Sequence, residues 1–133
     1  MAPGGGEGGT LAVGLAAGDL VCVDSAAGDL VWVDFDPQAG REQAGRRPAL
    51  VLSPRAYHEC APFAIVCPIT SKAKGYPCEV ALPPGLAVGG VVLADQVKSL
   101  DRRIRQIDTI GKAPTETVVV VLAKVAPLFG LRL

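Results

Sequence analysis

Two apolar, strand-like runs joined by a polar loop between glycines form the continuous stretch GDLVWVDFDPQAGREQAGRRPALVLS, Gly28–Ser53, and this constrains the chain most. The first run holds Leu30, Val31, Trp32 and Val33, and the second opens on Pro48 and continues through Ala49–Leu52. Alternating and β-branched apolar runs bounded by turn residues are the pattern of paired strands. The loop between them carries Arg41, Glu42, Gln43, Arg46 and Arg47. A small sheet that presents a dense, hydrogen-bonding tip has its chemistry on a loop held by rigid strands.

The rest of the chain fits one small, mostly β domain. In 133 residues there are 16 glycines and 11 prolines, which implies many turns and short strands. Half the residues are apolar and only 20% are charged, which excludes a disordered chain over most of its length. Further short strands are expected at Phe63–Ile69, Glu79–Leu82, Val91–Ala94 and Asp95–Leu100. The C-terminal piece, APTETVVVVLAKVAPLFG, is ambiguous on its residues alone. Val118–Val121 favours a strand, whereas Pro114, Glu116 and Leu122–Ala126 favour a helix. A helix there would end or kink at Pro127, which lacks an N–H. Residues 1–27 are expected to be a flexible extension preceding a domain over 28–133. Within the extension, Gly18–Asp24 (GDLVCVD) repeats Gly28–Asp34 (GDLVWVD) at six of seven positions. The first copy reads either as an added edge strand or as a duplicated leader.

Composition narrows the chemistry. No apolar run approaches the roughly 18 residues that cross a bilayer, and the first Lys or Arg is Arg41, so no charged leader is apparent. A cytoplasmic protein is expected. The four cysteines (Cys22, Cys60, Cys67, Cys78) show no C-x-x-C pairing, and His58 is the single histidine. That leaves no zinc ligand set and excludes a two-histidine ribonuclease. Cys67 and Cys78 read as reduced core thiols, Trp32 as core, and His58 as a residue of a surface loop over 55–62. The net charge of zero is a cancellation. Residues 1–40 hold six acidic groups and no Lys or Arg, while residues 41–112 hold eleven Lys/Arg against six Asp/Glu. A basic middle in a neutral chain predicts one cationic face.

Three segments, in order, resemble the MazF/PemK family of toxin endoribonucleases. They are the opening strand–loop–strand, then Pro68-Ile69-Thr70-Ser71 with Lys74-Gly75-Tyr76-Pro77, then Leu93-Ala94-Asp95-Gln96-Val97-Lys98-Ser99. The resemblance implies an SH3-like small barrel of six to seven strands with a C-terminal helix, of the CcdB/Kid/MazF kind. It implies a homodimer that cuts single-stranded mRNA without metal or other cofactor, leaving a 2′,3′-cyclic phosphate and a 5′-hydroxyl. Its partner would be a MazE-like antitoxin with an acidic, disordered tail, the two assembling as a toxin–antitoxin heterohexamer with no membrane involvement. Carried over by motif, Arg47 and Thr70 are the catalytic pair. A guanidinium suits charge stabilisation and, with an intrinsic pKa above about 12, makes a poor base. Glu42 is the nearest candidate proton acceptor. Gln43, Arg46, Lys72, Lys74, Tyr76, Gln96, Lys98, Arg102 and Arg103 are the expected RNA-binding residues, with Arg105 beside them and Tyr57 or Tyr76 as stacking platforms. Two alternatives share the fold: a non-catalytic poison of DNA gyrase, and a silent RNA-binding barrel.

Overall fold

The computed structural model describes residues 26–34 and 46–131, and among these the chain is mostly β with one long helix. The first strand, β1 (Asp29–Asp34), pairs antiparallel with β2 (Arg46–Val51), with Leu30 opposite Leu50 and Asp34 opposite Arg46. A short helix, α1 (Arg55–Cys60), leads to the long β3 (Phe63–Thr70). Then come β4 (Glu79–Ala81), β5 (Val91–Leu93), a 3₁₀ turn over Ala94–Gln96, β6 (Lys98–Asp101) and β7 (Ile107–Lys112). Helix α2 (Thr115–Val125) tightens into a 3₁₀ turn over Ala126–Phe129. These seven strands form one open antiparallel sheet, ordered β4-β5-β3-β2-β1-β7, with β6 on β3.

The central strands are apolar at successive positions because both of their faces are covered. Leu30, Leu50, Cys67 and Ile69 pack with Val92, Val118 and Val121 on the face that α2 covers. Their strand neighbours Val31, Val33, Ala49, Val51 and Val66 join Ala64 and Leu100 on the other. Burial at about 25 cal/mol per Å² of apolar surface makes these two layers the main stabilising term.

The valine-rich tail is a helix. Its strand propensity is overridden because Thr117, Val118 and Val121 lie on one helical face and bury against the sheet. Glu116 in the first turn and Lys124 in the last complement the helix dipole. As expected, Pro127 lies just past its end. Gly28 (φ +97°) turns the chain into β1: its N–H donates to Val51 O at 2.7 Å and its backbone faces Val118.

Three local expectations are corrected. The strand expected over Asp95–Leu100 is a 3₁₀ turn followed by β6. The turn carries the chain from β5, which pairs with residues 69–70 of β3, to β6, which pairs with 63–66. Strand β7 was not anticipated, since Asp108, Thr109 and Gly111 break its apolar pattern; it pairs with β1 across a bulge at Leu30/Val31. His58 stands on α1, half-buried, with Nε2 2.6 Å from the buried Ser53 Oγ, which also accepts the Ile65 N–H at 2.9 Å. Of the thiols, Cys67 is buried, Cys78 packs half-buried against the core, and Cys60 is exposed. Trp32 is half-buried in β1. The first GDLVCVD copy, with Cys22, lies outside the described residues.

Candidate active site

Strand register brings the two expected catalytic residues together. Ala49 pairs with Pro68 and Val51 with Val66, so the same register one same-face step further sets Arg47 across from Thr70. Both line a cleft of about 350 Å³, together with Lys72, Lys74, Tyr76, Glu79, Leu93, Asp95 and Gln96. Five structural units converge there: the start of β2, the end of β3, the 71–78 connection, the start of β4, and the end of β5 with its 3₁₀ turn.

Thr70 is fixed by its surroundings. Its Oγ1 accepts the Lys72 N–H at 3.1 Å, and its backbone pairs with Val91. Gly90 (φ +117°) approaches so closely that a Cβ there would stand 2.1 Å from the Thr70 carbonyl oxygen. Both the conformation and the contact require glycine.

Two carboxylates in the cleft were not among the expected site residues. Asp95 is exposed on the 3₁₀ turn, beside Arg47 and Thr70. Its signal in the sequence is its place beside Gln96 in the Leu93–Ser99 segment. Glu79 opens β4, and its carboxylate accepts the Lys74 N–H at 3.1 Å and the Gly75 N–H at 3.0 Å. Beneath the cleft, burial and then the charge of Asp95 push the Cys67 thiol up to about 12, so it is no nucleophile.

The other expected RNA contacts lie elsewhere. Arg46, one residue before Arg47, points to the opposite face of the sheet and forms an ion pair with Asp108 of β7. Arg102 donates to the carbonyls of His58 and Ala61, both at 2.8 Å. Arg103 pairs with Asp101 at 2.8 Å, and that pair holds the Asp101 carboxyl down at about 2. Arg105 donates to Asp34 O at 3.2 Å, and Lys98 begins β6. Tyr57 sits by His58, with ring centroids 6.2 Å apart, and lines a separate apolar groove. Glu42 and Gln43 lie outside the described residues. Among the described residues, no three His, Cys, Asp or Glu side chains gather as a metal ligand set, and no helix is long and apolar enough to cross a membrane.

An exposed arginine facing a strand-end threonine, ringed by lysines, is matched by what the whole sequence resembles. The profile of the PemK-like, MazF-like toxins of type II toxin–antitoxin systems covers residues 26–129. The chain belongs to this family. It is 48% identical over 97 residues to the endoribonuclease toxin MazF of Escherichia coli K12, spanning 73% of this chain and 86% of that protein. The crystal structure of MazF from Deinococcus radiodurans superposes with a TM-score of 0.73 at 52% identity, covering 81% of this chain and 98% of the other. A MazE–MazF complex from the same organism also superposes at 0.73, with 53% identity over 79% of this chain and 95% of that one. The expected family and fold class are thus borne out, and an antitoxin partner accompanies the family.

Proposed function

We propose that this MazF-like toxin is a metal-independent endoribonuclease that cuts single-stranded mRNA and so halts translation and growth. One observation carries the reading: a single cleft gathers Arg47, Thr70 and Asp95 with Lys72, Lys74, Tyr76 and Gln96. Cleavage by the substrate's own ribose needs three operations. The 2′-hydroxyl must lose its proton, the phosphorane must be stabilised, and the 5′-oxygen must leave as a hydroxyl.

Asp95 is the cleft's candidate for the first operation, an exposed carboxylate able to take the proton as the 2′-oxygen attacks phosphorus. Glu42, the acceptor expected from sequence, is its rival. Arg47 forks onto two phosphate oxygens, where charge grows as the new P–O bond forms. Thr70 donates a hydrogen bond to the same phosphate. The P–O5′ bond then breaks and the departing 5′-oxygen takes a proton from water, leaving a 2′,3′-cyclic phosphate on one fragment and a 5′-hydroxyl on the other. Lys72 and Lys74 contact flanking phosphates without reading sequence, while Tyr76 offers a stacking face and Gln96 a hydrogen-bonding amide. The active form in this reading is a cytoplasmic homodimer, silenced in a heterohexamer by a MazE-like antitoxin whose acidic tail lies over the same cleft.

Incubating the purified protein with single-stranded RNA in EDTA tests this. Discrete fragments with 5′-hydroxyl ends are expected. Intact RNA alongside inhibition of DNA gyrase would favour the non-catalytic alternative, and intact but bound RNA the silent barrel.

A further inference from the structure

We infer that Glu79 is a positioning residue that clamps the 71–78 turn in the shape that receives RNA; this rests on the RNA-cleaving reading above. Strand β3 ends at Thr70 and β4 begins at Glu79, and the connection between them carries Lys72, Lys74 and Tyr76, all exposed. Residues 71–77 are all exposed, so no buried core sets the shape of the turn. Tethers set it instead.

Glu79 supplies the central one. Both of its carboxylate oxygens lie 3.1 Å from the Lys74 nitrogen, and Oε1 also accepts the Gly75 N–H at 3.0 Å. Gly75 has a φ of +81°, in the left-handed region, and the two successive N–H groups converge as a concave anion cradle. The occupant is this chain's own carboxylate, held by charge-assisted bonds. The Glu79 N–H donates back to Tyr76 O at 3.1 Å, which closes the turn. A second tether arrives from α2, where Lys124 Nζ donates to Pro77 O at 2.8 Å.

A clamped turn meets the RNA with its cations and its ring already placed, so less ordering remains to be done on binding. The clamp and plain electrostatics predict opposite signs. Glu79 lines the cleft as a negative charge; were charge all that mattered, its removal would tighten RNA. If its role is positioning, removal loosens RNA and spares the chemical step once RNA is bound.

The experiment compares full-length wild type, Glu79→Ala and Glu79→Gln by three readouts. These are the Kd for an RNA made uncleavable by 2′-deoxy substitution, the single-turnover rate at saturating RNA, and ¹⁵N relaxation of residues 72–76. For Glu79→Ala, the Kd should rise about tenfold, the scale of ordering a few interface groups. The saturated rate should stay within about threefold of wild type. Order parameters at Lys74 and Gly75 should fall from about 0.85 to below about 0.6. Glu79→Gln, which keeps an acceptor oxygen, should fall between. Unchanged or tighter RNA binding, unchanged relaxation, or a collapsed saturated rate would each overturn the proposal. Should Glu79→Ala fail to fold, Lys124→Met cuts the other tether far from the cleft and should give a weaker form of the same signature. Wild type that neither binds nor cuts RNA would refute the RNA-cleaving reading, while the relaxation of Glu79→Ala still decides the clamp.

Discussion

Arg46 and Arg47 are neighbours in the chain that face opposite sides of the sheet, and this alternation divides their roles. Arg46 is bound to Asp108, with both side chains close to half exposed; such pairs contribute about 0–1 kcal/mol. Arg47 faces the cleft across from Thr70. Arg47→Ala should therefore lower single-turnover cleavage by about 10²–10³, the usual loss for one transition-state donor, with an unchanged thermal melt. Arg46→Ala should cut RNA at nearly the wild-type rate. A folded Arg47→Ala protein that keeps a third of its activity would contradict the assignment. Asp95→Asn should cost about 10²–10⁴ in rate, the usual loss for a general base. If Glu42→Gln gives that result instead, the proton acceptor is Glu42. Cys67 makes a quieter prediction. Its raised pKa means that the folded state holds the proton which the unfolded thiol releases above 9.0. Its contribution to stability is complete below pH 9.0 and is lost as pH rises towards about 12. Alkylation of folded protein at neutral pH should mark Cys60 and leave Cys67 unmodified.

Among the elements, the β3–β5 contact is the tightest constraint on the site. Replacing Gly90 with Ala forces a side chain onto the Thr70 carbonyl and into a left-handed backbone, for a cost above about 2 kcal/mol. A lower melting temperature together with a loss of cleavage is expected; a variant with wild-type melting and rate would show that the approach is not needed. The same comparison explains what was legible in the sequence. Strands β1 to β3 stood out because both faces are buried, so nearly every residue is apolar. The Arg47–Thr70 pairing followed from motifs and was then produced by register. Strand β7 was hidden because it is only partly buried, and polar residues at its half-exposed positions erase the alternation. The 3₁₀ turn at Ala94–Gln96 was hidden too: the alternating Asp95–Leu100 segment carries strand periodicity, but the chain must cross along β3 there. Glu79 escaped because its partners are main-chain N–H groups, which have no sequence signature. His58 looked like a surface residue because nothing in the sequence announces its Ser53 partner.

At the scale of the molecule, the first described residues are already packed: the Asp29 N–H bonds Ala26 O at 3.2 Å and Ala27 is buried. A chain starting at residue 26 should therefore melt and cleave as the full chain does, whereas an insoluble or inactive truncation would make the first GDLVCVD copy structural. The basic character of residues 41–112 is unevenly spent. Arg46, Arg102 and Arg103 are engaged within the fold, leaving Lys72, Lys74 and Arg47 as the cations of the cleft. An acidic antitoxin tail and RNA should then exclude one another, and both should weaken with salt. The central claim is that this cleft cuts RNA using the substrate's own 2′-hydroxyl. Its most direct test is single-turnover cleavage, in EDTA, of a defined RNA and its twin carrying 2′-deoxyribose only at the cut site. The account predicts a cyclic-phosphate product from the first, and from the second binding of similar strength with no cut. Cleavage of the deoxy twin at a comparable rate would mean that the nucleophile is not the ribose, and the roles given to Arg47, Thr70 and Asp95 would fall.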